Sequence, residues 1–119
     1  MKTTIDPRHQ KRVELMKSLF SYSFHPSAAP NKLSIKPIIS TISQIDTLIH
    51  QCAPEWPIEQ INRIDLSILR LSIHELLLKE NPYKVVIDEA VELAKEYGSE
   101  SSPKFINGVL GTALNQIKP

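Results

Sequence analysis

The chain has 119 residues, which is enough for one domain that buries a hydrophobic core without disulfides. Hydrophobic residues make up 41% and charged residues 23%, so the composition is typical of a globular protein and excludes a disordered one. Fourteen basic and thirteen acidic residues nearly cancel, which excludes attraction to nucleic acid by overall charge and leaves only a local site.

The first predicted helix begins at Asp6-Pro7, because Asp accepts a hydrogen bond from a free helix N–H and Pro suits the first helical position. Apolar residues then recur at spacings of three and four. This pattern predicts a helix to about Ser23 with one stripe facing the core. The predicted stripe consists of Val13, Met16, Phe20 and Phe24.

A loop and a second helix are predicted to follow. Residues 25–36 contain prolines and small residues without a helical period, which is typical of a loop. From Ile35 to Cys52 the apolar residues follow the helical period closely, so this stretch predicts one continuous amphipathic helix with Ser34 as its cap. Prolines end the pattern, and a short helical turn is predicted from Ile58 to Ile61.

The second half of the chain predicts three further helices. Asn62 with Asp65 three positions later resembles a capping box. The helix that follows is apolar around most of its circumference, which is typical of a helix at the centre of a bundle. The next helix is predicted to start near Tyr83 and to end at a left-handed cap at Gly98, and the last helix begins at Ser102-Pro103. The sequence therefore predicts an all-α bundle.

Three blocks of the sequence, in this order and spacing, resemble the C-terminal half of NusB family proteins. They run from Asp65 to Leu77, from Pro82 to Gly98 and from Lys104 to Leu110, and the last block is among the most specific. The basic first helix is similar to the family's in composition. The segment between Ser23 and Ile58 looks shorter than is usual for the family.

The resemblance implies a NusB-like helical bundle of about six to seven helices in two packed subdomains. It also implies a function, because NusB proteins pair with NusE, a ribosomal protein of the small subunit. The pair binds a single-stranded boxA-type element in nascent ribosomal RNA and favours transcription through terminators within the elongation complex. We therefore expect residues 1–119 to form a single RNA-binding domain of an antitermination factor.

The residues expected to bind RNA lie at the starts of two helices. Arg8, Lys11 and Arg12 have helical spacing that places them on one side of the first helix, where they are predicted to grip phosphates, although the residues alone also fit an ordinary solvated face. His9 and Arg12 have planar groups on which bases can stack. The resemblance adds Lys104 and Asn107, and we expect both groups to form one continuous surface. Phe105 is expected to be core.

The resemblance also places the contacts with the ribosomal-protein partner. Phe20 and Glu75 match positions through which NusB proteins contact that partner, and Asp65 is expected near the same surface. An acidic and aromatic patch would suit a basic ribosomal protein. From the residues alone, a core Phe20 and a solvated Glu75 remain the alternative.

Enzymatic and metal-binding functions have no support in the sequence. The four histidines are scattered, and no nucleophile, base and orienting group can be assembled from recognisable motifs. The single cysteine, Cys52, excludes an internal disulfide and is expected to be buried and inert. No signal peptide or membrane-spanning segment is recognised. We expect a soluble cytoplasmic protein that is not an enzyme and has no cofactor.

Two binding functions remain open at this point. The first is the free-standing antitermination factor. The second is a non-catalytic protein-interaction or RNA-docking module, since NusB-like domains also occur attached to ribosomal RNA methyltransferases. The absence of a methyltransferase domain from this chain favours the first. If about four basic residues neutralise phosphates, log affinity should fall with log salt at a slope near −3, at about −0.7 per contact.

Overall fold

Every regular element in the described part of the chain is helical. The computed structural model describes residues 6–26 and 35–117, and no strand occurs among them, so the all-α prediction is confirmed. In chain order the elements are α1 (Pro7–Phe24), α2 (Lys36–Ser40), α3 (Ile42–Cys52), a 3-10 turn (Ile58–Gln60), α4 (Arg63–Leu78), α5 (Tyr83–Tyr97) and α6 (Ser102–Ile117).

Helix α1 begins as predicted but buries a different stripe at its end. The Asp6 side chain accepts a hydrogen bond from the Arg8 N–H at 2.9 Å, which confirms the cap. Leu19 is buried where Phe20 was expected, and Phe24 is 50% exposed, so the predicted stripe is wrong over the last turns. The end of α1 lies beside Arg63, the first residue of α4, and therefore α4 has no earlier turn to cover Phe24.

The predicted single helix from Ile35 to Cys52 is wrong, because the structure breaks it at Thr41. The Thr41 backbone leaves the helical region at φ −118°, and its hydroxyl donates to the carbonyl oxygens of Pro37 and Ile38, both at 3.3 Å. A threonine hydroxyl that bonds to nearby carbonyls competes with the helical hydrogen bonds. The predicted cap residue, Ser34, lies outside the described residues.

Helix α4 forms the centre of the bundle, as its apolar circumference predicts. The Asn62 side chain caps it by accepting from the N–H groups of Ile64 and Asp65, at 2.8 and 3.3 Å. The Asp65 carboxylate does not complete the predicted capping box; it is buried and interacts with Ser102 instead. Helix α4 packs against all five other helices, and the buried apolar side chains of all six belong to one cluster.

Among the described residues of this half, the left-handed one is Lys79, at φ 58°, where α4 ends. Gly98 ends α5 in an extended conformation, at φ −91° and ψ −170°, so the predicted left-handed cap there is wrong. Glycine serves another purpose at this position. A Cβ on residue 98 would lie 2.6 Å from the Ser102 Cβ, so only glycine lets the α5–α6 turn pack this closely.

Candidate nucleic-acid interface

Arg8 and Lys11 are exposed on the first turns of α1. The Arg8 side chain is 85% exposed, with its Nε 3.7 Å from the Asp6 Oδ1. Both residues line a cleft of about 400 Å³ between α1 and the C-terminal half of α4, whose apolar surface includes Leu15 and Leu71. Exposed cations beside an open cleft can neutralise phosphates, as the sequence predicts for these two residues.

Arg12 is the third cation of this group, but its guanidinium is already occupied. Its Nε and Nη2 donate to the Glu75 carboxylate, each at 2.8 Å, and its Nη1 lies 3.6 Å from the Glu89 Oε1. The side chains of Arg12 and Glu75 are only 11% and 15% exposed. The hydrogen bond to Glu75 is the main cause that raises the pKa of Arg12. In this arrangement Arg12 fastens α1 to α4.

His9 is buried between α1 and α5 and does not present its ring to solvent. Its Nδ1 lies 3.2 Å from the Glu89 Oε1 and its Nε2 lies 2.7 Å from the Glu96 Oε1, and the side chain is 4% exposed. Base stacking requires an accessible ring face, so this position does not support the stacking role predicted for His9. The residue fixes the start of α1 against α5.

Lys104 and Asn107 are exposed on the first turns of α6, as the RNA-binding prediction requires. They line a groove of about 770 Å³ between α5 and α6, together with Asp88 and Glu92 of α5. Phe105 is half-buried and packs against the core, so it lies at the edge of the core and not inside it as predicted. The groove is mixed in charge, because two carboxylates and Lys95 of α5 line it beside Lys104, and the Lys95 Nζ lies 3.6 Å from the Glu92 Oε2.

Helix α5 lies between the two groups of predicted RNA contacts. Its residues 89 and 96 contact His9 of α1, whereas residues 88 and 92 line the groove on the α6 side. Helical periodicity makes these two faces of α5 adjacent. Both groups therefore pack on one helix, but carboxylates of that helix separate them. The predicted continuous cationic surface is interrupted.

Two of the three predicted partner contacts are engaged inside the protein. Glu75 binds Arg12. Asp65 is buried and interacts with Ser102, while its Oδ1 has no hydrogen-bond partner, and burial raises the pKa of Asp65. Phe20 is half-buried and packs edge to face on Phe24, with ring centres 4.9 Å apart. The apolar pattern placed Phe24 on the core-facing stripe and did not predict its exposure. Its position in the last turn of a helix was the one indication that it would be less buried.

The described ranges hold neither a metal-binding cluster nor a membrane-spanning helix. No three His, Cys, Asp or Glu side chains in residues 6–26 and 35–117 lie where they could hold a metal ion. Within the same ranges, no helix combines the length and apolar character needed to cross a bilayer. Cys52 is half-buried, and burial raises the pKa of its thiol. A raised pKa lowers the reactive thiolate fraction.

Sequence comparison finds similarity to one family. The family profile described as the NusB family matches residues 32–115. The transcription antitermination protein NusB of Chloroflexus aggregans is 48% identical over 77 residues, which cover 62% of this chain and 51% of that protein. The protein of the same name from a Roseiflexus species is 46% identical over 79 residues and is covered to 56%. The chain thus spans about half the length of these relatives.

A longer match comes from Thermotoga maritima. Its transcription antitermination protein NusB is 32% identical over 133 aligned positions, covering 95% of this chain and 94% of that protein. The solved structure of T. maritima NusB superposes with a TM-score of 0.86 and covers all of this chain and 96% of that one. A chain in a crystal structure described as a plectonemic RNA supercoil shares the fold, with a TM-score of 0.81 at 22% identity. The chain described here belongs to the NusB family.

Proposed function

We propose that this protein is a transcription antitermination factor that binds single-stranded boxA-type RNA in nascent ribosomal transcripts together with NusE. It acts in the cytoplasm, by binding and without catalysis, and residues 1–119 serve as one RNA-binding domain. The observation that carries the proposal is similarity to T. maritima NusB over nearly the whole of both chains. The name of the relatives, transcription antitermination protein NusB, describes antitermination and no reaction.

The proposed RNA surface begins with Arg8 and Lys11, the exposed cations of α1. Backbone phosphates of an unpaired strand supply the charge that these side chains neutralise. Lys104 and Asn107 at the start of α6 form the second part of the surface, with a further cation and an amide that can bond to base edges. The strand must cross α5 to touch both parts. Contacts there should be to bases or sugars, because carboxylates repel phosphates.

The proposed protein partner contacts the end of α1. Phe20 and Phe24 form an aromatic pair there, and the Arg63 guanidinium lies 4.3 Å from the centre of the Phe24 ring. Exposed aromatic side chains beside an arginine are typical of residues that dominate protein interfaces. This pair is therefore the proposed anchor for the ribosomal protein.

The RNA proposal is tested by measuring affinity for a boxA RNA over a range of salt concentrations. Because Arg12 is engaged by Glu75, three exposed cations should neutralise phosphates, and the slope of log affinity against log salt should be near −2. Replacing both Arg8 and Lys11 by Ala should weaken binding and leave a slope near −0.7. Lys84→Ala removes an exposed lysine of α5 and is the matched control. Equal affinity of the double variant and Lys84→Ala would contradict the proposed site.

The partner proposal is tested by co-purification with the ribosomal protein. Phe24→Ser should reduce capture of the partner while RNA binding by the free protein stays unchanged. Val85→Ser, which alters an exposed apolar residue of α5, serves as the control. Full capture by Phe24→Ser would exclude this end of α1 as the anchor.

A further inference from the structure

The cationic group at the start of α1 contains one arginine, Arg12, that is largely buried and forms its two shortest hydrogen bonds with a single carboxylate, Glu75. Arg8 and Arg12 are four residues apart, so their side chains lie one helical turn, about 5.4 Å, from each other. Arg12 and Glu75 both line the cleft that Arg8 and Lys11 border. The guanidinium therefore lies at the wall of the proposed RNA site and is turned towards α4.

The bond between Arg12 and Glu75 is the contact that decides where the guanidinium points. It has the bidentate geometry that makes arginine–carboxylate pairs strong and directional. Glu89 is farther from Arg12, at 3.6 Å, and the same Oε1 faces the His9 ring at 3.2 Å. Loss of the Glu75 carboxylate would thus remove both short hydrogen bonds of Arg12 and leave the guanidinium only its longer contact with Glu89, while the junction between α1 and α5 stays in place.

We propose that Glu75 acts as a lock that withholds Arg12 from RNA, and that a cationic side chain of a bound basic protein releases Arg12 by taking Glu75. This inference rests on the proposed RNA-binding function. The free protein then offers RNA two cations on α1, and the protein with its partner offers three. When one ligand raises the affinity of a protein for a second ligand, the second raises the affinity for the first by the same factor. The lock therefore makes RNA and the basic partner strengthen each other's binding.

Glu75→Gln tests the lock, because it keeps the shape of the side chain and removes its charge. One additional phosphate contact should strengthen RNA binding by about fivefold at about 0.1 M salt and steepen the salt slope by about 0.7. In an Arg12→Ala background the same substitution should give no gain. Glu80→Gln is the matched control, since Glu80 is an exposed carboxylate lining the same cleft.

The outcomes separate the lock from the RNA site itself. Equal gains from Glu75→Gln and Glu80→Gln, or a gain that persists without Arg12, would show a general charge effect and overturn the lock. A folded Glu75→Gln protein with unchanged affinity would overturn it as well. In both cases the proposed function stands if the Arg8 and Lys11 double variant still loses RNA. If that variant binds normally, the proposed function fails.

A second measurement covers the case in which Glu75→Gln does not fold. The NMR signal of the Arg12 Nε–H in the unmodified protein reports on the guanidinium directly. Saturating boxA RNA should leave this signal unmoved, and RNA with the ribosomal protein should shift it. A shift with RNA alone would show that Glu75 does not withhold Arg12, and no shift with both would show that the partner does not release it.

Discussion

His9 and Arg12 are residues of α1 whose side chains meet carboxylates of other helices, of α5 for His9 and of α4 and α5 for Arg12. Each has the residue type of an RNA contact, and each is held by acidic residues of α4 or α5. Burying a charged or polar group is unfavourable unless it is paired, so these contacts stabilise the docking of α1. Arg8 and Lys11, on the solvent side of the same two turns, keep the exposure that phosphate binding needs.

His74 makes stability depend on pH. Burial lowers the pKa of His74 below its ordinary value of 6.5, so the folded protein holds the proton less tightly than the unfolded chain does. As pH falls below about 6.5, the unfolded state binds more protons and the free energy of unfolding decreases. His74→Gln should therefore lose less stability than the unmodified protein between about pH 7.5 and pH 5.5.

Thermal melting at both pH values measures the effect of His74. His50→Gln is the control, because His50 is exposed on α3. The same pH dependence in the His74→Gln and unmodified proteins would contradict the assignment.

Two glycines of this region differ in the space that a Cβ would find. Gly98 lies in the turn between α5 and α6, and Gly111 lies within α6. In the turn, a Cβ at Gly98 would also lie 2.8 Å from the Ala94 carbonyl oxygen, within helix α5 itself. Ser102 fills the remaining space and accepts from the Ser99 N–H at 2.9 Å. In the helix, a Cβ at Gly111 would meet nothing within 4 Å. The first glycine permits a close approach, and the second only loosens a helix.

Alanine at the two glycines should therefore change stability in opposite directions. Gly98→Ala forces the turn apart and should reduce the free energy of unfolding by about 1 to 3 kcal/mol. Gly111→Ala improves helix propensity and should raise it by up to about 1 kcal/mol. Urea unfolding of both variants measures the difference. A stabilising Gly98→Ala would mean that the turn can relax without loss of packing.

At the scale of the whole molecule, α4 is the helix that contacts each of the other described helices. The Arg70 guanidinium in this helix forms two hydrogen bonds, at 2.9 and 2.8 Å, with the Asp46 carboxylate of α3. On other sides α4 meets α1, α5 and α6. The helices that present the proposed RNA contacts, α1 and α6, thus share one central support. Loosening α4 should disturb both.

Leu69→Ala tests this central role. Leu69 is fully buried in α4, so the truncation removes apolar contacts and leaves a cavity, which should reduce the free energy of unfolding by about 2 to 5 kcal/mol. Leu78→Ala, at a residue of the same helix that is 48% exposed, should change it by less than about 0.5 kcal/mol. Equal effects of the two variants in urea unfolding would show that α4 is not the core element.

The sequence by itself determined the helical elements and the family. Caps such as Asp6 and Asn62 act within a few residues, so their signals can be read locally, and both are confirmed. Apolar periodicity likewise revealed the central helix. The break at Thr41 could not be predicted from the sequence, because the isoleucine pattern continues across it. The break depends on the Thr41 hydroxyl, which competes only weakly with the helical hydrogen bonds for nearby carbonyl oxygens.

Only the tertiary structure decided which polar residues remain available for binding. Arg12 meets Glu75 63 residues away, and His9 meets Glu89 80 residues away. A basic residue on a helix looks the same in sequence whether solvent or a distant carboxylate faces it. The pairing arises when α1 docks on α4 and α5, because burial makes an unpaired charge unfavourable. Packing therefore left Arg8 and Lys11 exposed and turned their neighbours inward.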